Sequence, residues 1–231
     1  MPDVAVTWLG HGSFRFDSPE GKRIYFDPWL EGNPSCPESE LAPERCDIIV
    51  LTHGHFDHTG AVQGIAEQFQ PPIIGCYELC TWLAGQEIPR AGENGMGKGG
   101  TQVIEGISFT ATNAFHSSSA PDGTYTGEPA GFVITFENGT RLYAAGDTNV
   151  FGDMALIQRL YEPDVAILPI GDMYTMGVKE AALALELLGV SRCIPCHWGT
   201  FPALTGTPDA LRELVSDVEI VDIAPGATIT I

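Results

Sequence analysis

Residues 51–60 read LTHGHFDHTG and follow directly on the apolar run Ile48-Ile49-Val50. Within six positions the segment places His53, His55, Asp57 and His58. Buried without partners, each of these groups costs kilocalories; merely solvated, they have no reason to be grouped. A divalent metal resolves the conflict, because neutral imidazole and carboxylate oxygen are the ligands such ions take. His53 and His55, two apart on extended backbone, reach the same side, while Asp57 and His58 lie round a turn and point at a neighbouring position. The spacing therefore suits two ions better than one. The competing reading is a polar turn whose histidines cap the following helix, and it leaves the crowding of four such groups without a cause.

Upstream of this segment, strands are predicted over Val4–Leu9, Ser13–Phe16 and Arg23–Phe26, with Ser18-Pro19-Glu20-Gly21 as turn chemistry between the second and third. Gly32–Pro43 reads as a surface loop, and Asp47–Leu51 as a continuous apolar strand. Downstream, Ala61–Phe69 carries Ala61, Ile65, Ala66 and Phe69 on one helical face and stops at Pro71-Pro72. A short strand at Ile73-Ile74 and a short helix over Tyr77–Leu83 follow. Residues 92–100, GENGMGKGG, are expected to form a glycine-dense loop, and without a lysine-serine ending they are no phosphate-binding loop. Hairpins are expected over Val103–Ala114, turning near Glu105-Gly106, and over Gly131–Ala145, turning at Asn138-Gly139. Helices and strands then alternate: Phe151–Leu160, Val165–Leu168, Lys179–Leu188, Cys193–Cys196, Pro208–Val215, Val218–Val221 and Ala227–Ile231. Two halves of similar make-up follow one another with no low-complexity linker. The simplest architecture is one α/β domain over residues 1–231, two sheets packed face to face with helices on both outer sides.

Bulk composition narrows the partners. The chain has 231 residues, 44% hydrophobic and 18% charged, and a formal net charge of -19 from 30 acidic against 11 basic residues. Such a surface repels phosphate backbones and anionic lipid, so neither nucleic acid nor a membrane is an expected partner; a small molecule is. The first ten residues, MPDVAVTWLG, show neither a basic nor a long apolar leader region, and no run approaches the roughly eighteen apolar residues of a span, so a cytoplasmic location is expected. Self-association into a homo-oligomer stays open. Cys36, Cys46, Cys76, Cys80, Cys193 and Cys196 are expected as free thiols. Cys193 and Cys196 form a CxxC, but three apart on a strand they face opposite sides and are read as packing.

Beyond the opening segment, His11, His116 and His197 each lie just past the end of a predicted strand, as does Asp147 in AAGDT. Loops at strand ends are where scaffolds present functional groups. One such histidine is an ordinary turn residue; six together are a site.

With these residues in view, the chain resembles the metallo-β-lactamase superfamily of binuclear metal hydrolases. Its signature, HxHxDH after a strand, then a distant His, an Asp and a final His, is met by His53, His55, Asp57, His58, His116, Asp147 and His197 in that order. The resemblance implies an αβ/βα four-layer sandwich, two central β-sheets flanked by helices. It also implies His53, His55 and His116 on one metal, Asp57, His58 and His197 on the other, and Asp147 bridging the two. The stretches LGHGSF, YFDPWLEGNP, FHSSS, AGDTNVFGDM, LPIGDMYTMG and CHWGTFP look like the metal-dependent hydrolases related to L-ascorbate-6-phosphate lactonases, with a more distant likeness to zinc phospholipase D. Penicillin-cleaving members usually carry Cys where Asp147 stands, and tRNA-processing members carry an RNA-grasping arm absent here.

The implied chemistry is hydrolysis of a small ester, lactone or phosphodiester. Two divalent ions, zinc first with Mn2+ or Fe2+ as alternatives, would share a water and lower its pKa from 15.7 toward about 7, giving a bridging hydroxide. Asp57 would be both ligand and acceptor of the nucleophile's proton. His11, left over from the ligand count, reads either as a substrate contact or proton donor beside the metals, or as a strand-end histidine bonded to a loop carbonyl. Asp27 reads as a turn residue or as a carboxylate supporting a ligand. Ser117, Ser118 and Ser119 follow a ligand, and Trp198, Phe201 and Met176 are read as pocket wall or core. The alternatives in function are a nuclease, which the charge disfavours, and a non-enzymatic metal-binding assembly subunit, which an intact set of seven ligands disfavours.

Overall fold

The computed structural model describes residues 3–231 and contains two seven-stranded sheets. The first runs β14-β1-β2-β3-β4-β5-β6, built from β1 (Ala5–Trp8), β2 (Phe14–Asp17), β3 (Arg23–Phe26), β4 (Ile48–Val50), β5 (Ile73–Cys76), β6 (Asn94–Met96) and β14 (Thr228–Thr230). The second runs β13-β12-β11-β10-β9-β8-β7, from β7 (Thr101–Ile104), β8 (Ile107–Asn113), β9 (Ala130–Thr135), β10 (Arg141–Ala144), β11 (Val165–Pro169), β12 (Arg192–Cys196) and β13 (Glu219–Ile220). Each sheet is antiparallel on one side and parallel on the other, the change falling at β3 and at β10. Strand pairs such as β7–β8 and β9–β10, joined by short turns, lie in the antiparallel parts, with a long loop over residues 114–129 between β8 and β9, and strand-helix units predominate in the parallel parts.

Four layers follow from which faces are apolar. Phe14, Phe16, Phe26, Val50, Phe109, Phe132, Ile134 and Ile167 pack between the sheets. On the outside of the first sheet lie α2 (Val62–Phe69) and α3 (Tyr77–Gly85), burying Val62, Ile65, Ala66, Leu79 and Leu83 against Ile49 and Ile73. On the outside of the second lie α4 (Met154–Tyr161), α5 (Val178–Leu188) and α6 (Pro208–Arg212), with Ile157, Ala184, Leu185 and Leu211 against Ala166 and Leu168. The CxxC divides as expected: Cys193 faces the helices and Cys196 the inter-sheet core, and all six cysteines are free. Among the described residues no helix is long and apolar enough to cross a membrane.

Strand direction positions the site. β2 is antiparallel to both β1 and β3, and β4 is parallel to β3, so β1, β3 and β4 all end at the same edge of their sheet. By the same logic β8, β10, β11 and β12 end together in the other sheet. The loops after β1, β3, β4, β8, β10 and β12 carry His11, Asp27, His53, His116, Asp147 and His197.

One local expectation differs from the structure. Asn94–Met96, inside the glycine-dense segment, forms edge strand β6, because Ile74, Gly75 and Cys76 offer it a parallel partner. Its glycines are tolerated there for steric reasons: a Cβ at Gly95 would lie 3.0 Å from Tyr77 Cα. As expected, Asp57 and His58 lie round a turn, the single helical turn α1 (Phe56–Thr59), although the His58 ring comes back to 4.2 Å from that of His53.

Candidate metal centre

Six histidines and three aspartates meet where the two sheets share an edge. The Nε2 of His53 lies 2.9 Å from Nδ1 of His55, and His53, His55 and His116 can present ligand atoms within 4.8 Å of one another. A second group of the same tightness comprises His11, Asp57, His58 and His197. Between the groups stands Asp147, whose Oδ2 is 3.1 Å from His197 Nε2, 3.3 Å from His58 Nε2, 3.6 Å from His116 Nε2 and 3.9 Å from His53 Nε2. All seven residues of the sequence signature are thus brought together, from four separate loops.

Hydrogen bonds behind these groups determine which nitrogens face inward. The Thr52 hydroxyl donates to Asp27 Oδ2 at 2.6 Å, so at 2.9 Å its oxygen can only accept from His53 Nδ1, which leaves the His53 Nε2 lone pair toward the cluster. Asp27 Oδ2 also accepts from His58 Nδ1 at 2.8 Å, turning His58 Nε2 inward, and Asp27 Oδ1 accepts from the Thr52 backbone N–H at 2.8 Å. The Nε2 atoms of His58 and His197 are buried with no hydrogen-bond partner. Inward-facing imidazole nitrogens gathered around a buried carboxylate are what a metal ion satisfies.

The comparisons agree with this geometry. Residues 22–198 match the sequence profile of the β-lactamase superfamily domain. The chain is 49% identical over 234 residues to a metal-dependent hydrolase of Herpetosiphon aurantiacus, covering 98% of this chain and 97% of that one. It is 44% identical over 231 residues to another of that name from Koribacter versatilis, covering 99% and 98%. Among solved structures, a metallo hydrolase from the archaeon Ignicoccus hospitalis superposes with a TM-score of 0.87 at 30% identity, over 100% of this chain and 99% of that one. The chain belongs to the β-lactamase superfamily, among its metal-dependent hydrolases.

In this hydrolase the structure decides between the two readings of Asp27 and supplies the partners of His11. Asp27 is no plain turn residue: fully buried, it is the hub that orients Thr52 and His58. The His11 ring is fully buried with both nitrogens engaged, Nε2 by Asp57 Oδ2 at 2.9 Å and Nδ1 by Thr200 Oγ1 at 3.0 Å. The ring does not bond a loop carbonyl. Instead the His11 carbonyl accepts from the His197 N–H and from Trp8 Nε1, each at 2.9 Å, so this residue braces Asp57 and His197 together. His11, Asp27 and His197 all adopt left-handed φ, at 54°, 45° and 52°. Each such residue costs of order 1–3 kcal/mol, strain that the surrounding contacts hold in place. Thr52 and Thr200 were not singled out from the sequence; a hydroxyl directly before or soon after a ligand histidine is the only local trace of their roles.

Burial lowers the pKa of His53, His55 and His116 below the ordinary histidine value, which keeps them in the neutral form that binds metal. Burial likewise pushes His11 down, to about 4, despite its bond to Asp57. Burial also opposes a charged His58, but Asp147 and Asp27 on either side overcome it and raise His58 well above its usual value. Two buried carboxylates flanking one imidazole demand a positive charge between them, and a divalent ion supplies it. For Asp57 burial works upward, yet the His11 hydrogen bond and the charge on His58 win and hold it below the usual carboxylate range.

The ligand loop of the hydrolase tolerates no bulk at Gly54. A Cβ there would sit 2.2 Å from Thr126 Oγ1, and the Gly54 N–H donates to Ser118 Oγ, itself paired with Thr126 at 2.7 Å. Gly54→Ala is expected to cost about 1–3 kcal/mol through overpacking. It should also weaken metal retention by displacing His53 and His55; a denaturant titration with elemental analysis checks both.

The centre opens into a cavity of about 620 Å3 whose polar floor includes His55, Asp57, His116, Asp147 and His197. Phe201 lines it, whereas Trp198 stacks on Trp8 and Met176 is core. Ser117 and Ser119 also line the cavity, and Ser118 is the one turned inward to support Gly54.

Proposed function

We propose that the protein hydrolyses a small ester, lactone or phosphodiester at a centre of two divalent ions, zinc foremost. His53, His55 and His116 would hold one ion and Asp57, His58 and His197 the other, with Asp147 between them. Ions in these places supply Lewis-acid polarisation of the scissile oxygen and a water whose pKa falls from 15.7 toward about 7. The observation that carries this reading is the convergence of the unpartnered Nε2 atoms of His58 and His197 on Asp147 Oδ2.

The chain's own groups do the rest. Asp27 and Thr52 fix the His58 and His53 rings, so no reorientation is needed as charge develops. Asp57 lines the cavity and is the carboxylate placed to take the proton of the attacking water. His11 donates Nε2–H to Asp57 while its Nδ1 accepts from the Thr200 hydroxyl, which holds that carboxylate in position and ionised. The second group also contains His11, but its Nε2 is committed to Asp57, which leaves it a positioning residue. The substrate is a small molecule: a body of charge -19 gives a nucleic-acid backbone no counter-surface.

Elemental analysis of purified protein is expected to give close to two transition-metal ions per chain, lost to a chelator and restored by zinc, Mn2+ or Fe2+. At a hundredfold excess over Kd each ion should stabilise the fold by about 2.7 kcal/mol, read as a rise in Tm of several degrees. Protein that takes up no metal after reconstitution would end this reading. Metal-loaded protein should turn over members of an ester, lactone and phosphodiester panel and leave penicillins and RNA essentially untouched.

A further inference from the structure

The cavity above the metal centre is built unlike a site for a multiply charged substrate. Its floor is polar, but its wall is aromatic: Phe56 and Tyr174 line it with 55% of their surface exposed, and Phe201 lies beside them. The Phe56 ring stands edge-on to Trp29 at 5.5 Å, and Phe201 lies against the same indole at 6.1 Å. Trp29 is 6% exposed and is itself braced by the buried His11 ring at 5.4 Å. Phe56 and Phe201 are therefore backed by the packed Trp29 ring and both line the cavity. Half-exposed aromatics held this way contribute little to the fold and much to burying a ligand.

Charge points the same way. None of the eleven lysines and arginines lines the cavity. Arg15, Lys22, Arg23, Arg45, Arg90, Lys98, Arg141, Arg192 and Arg212 are each engaged by carboxylates elsewhere. A phosphate or carboxylate outside the reacting group would have no cationic partner there, and would face a body of net charge -19. Ser117 and Ser119 offer only neutral hydrogen bonds.

We infer that the substrate carries one hydrolysable group at the metal centre and a neutral, apolar tail of aryl size against Phe56 and Phe201, and that a second anionic group is rejected. This rests on the reading of the floor as a metal centre and narrows its substrate class to neutral aryl or alkyl acyl compounds, away from phosphorylated sugars and nucleotides.

The test uses hydroxamates, which bind metal without being hydrolysed as esters are, so that affinity is read apart from turnover. Zinc-loaded protein is titrated calorimetrically with acetohydroxamate, benzohydroxamate and 4-carboxybenzohydroxamate. Burying the phenyl ring should tighten binding about tenfold or more over the acetyl compound, and the added carboxylate should reverse most of that gain. Phe201→Ala should bring benzohydroxamate down toward acetohydroxamate. Phe56→Ala, at a half-exposed position that does not threaten folding, should do so in part. Equal affinity of the acetyl and benzoyl compounds, equal or tighter binding of the carboxylated one, or no binding to protein shown to hold zinc would each overturn the inference. A parallel series of p-nitrophenyl esters separates the two readings: no ester turnover with the hydroxamate ranking intact refutes the hydrolytic proposal and leaves the apolar tail site standing.

Discussion

Asp147→Ala should strip metal from the centre and lower hydrolysis by more than about a hundredfold, since even the outer partners of metal ligands are worth 10–100-fold. Its Oδ2 lies within 3.9 Å of the Nε2 atoms of His53, His58, His116 and His197, which together span both candidate groups. On the proposed two-ion reading, removing it would delete a shared ligand and take a negative charge from between two cations, so their mutual repulsion would rise as well. Metal content is expected to fall to one ion or less. The fold should persist, because Asp147 sits past the end of β10 and touches imidazoles, not the apolar layers. His116→Ala sets the scale: it removes one imidazole of the first group and leaves Asp57, His58 and His197 in place, so one ion should remain. Elemental analysis of the two variants, with circular dichroism for the fold, decides the matter. Two ions retained by Asp147→Ala would show that it does not stand between them.

Asp27→Asn should be nearly as damaging although Asp27 touches no substrate. The change is isosteric, and Asn accepts the left-handed backbone at φ 45°, so strain is not altered. What changes is donor against acceptor. Oδ2 accepts from both the Thr52 hydroxyl and His58 Nδ1, and Oδ1 accepts from the Thr52 N–H. An amide can match one side only, so its NH2 meets donors at one of them. A buried donor left unmatched costs about 1–3 kcal/mol. The loss also frees His58 to rotate and the Thr52 hydroxyl to turn toward His53, which scrambles the tautomers of two ligands. Metal affinity is expected to fall 10–100-fold, measured by competition with a chromogenic chelator, alongside a lower Tm in metal-free protein. Unchanged affinity would reduce Asp27 to a purely structural role.

The sequence by itself determined the parts that depend on near neighbours. Asn138-Gly139 and Glu105-Gly106 turn where they must, because a tight turn is chosen by the residues in it. The apolar runs become strands, and the histidines that follow them reach one edge because strand-end position is a local property. The HxHxDH spacing already puts Asp57 and His58 round a turn from His53 and His55, and α1 is that turn.

Only the tertiary structure decided what those groups lean on. Asp27 and His58 are 31 residues apart, His11 and Asp57 are 46, and His11 and Thr200 are 189. No periodicity reports a contact of that span, so a buried hub and a turn residue look alike in YFDP, and LGHGSF does not show which partners His11 takes. β6 was hidden for the same reason, since its strand character comes from its neighbour β5 and not from its own glycines. The aromatic wall of Phe56, Phe201 and the Trp29 behind them joins three loops that are distant in the chain. Residue chemistry marks out a metal centre; the packing of the two sheets decides how each ligand is aimed and what the cavity beside it can hold.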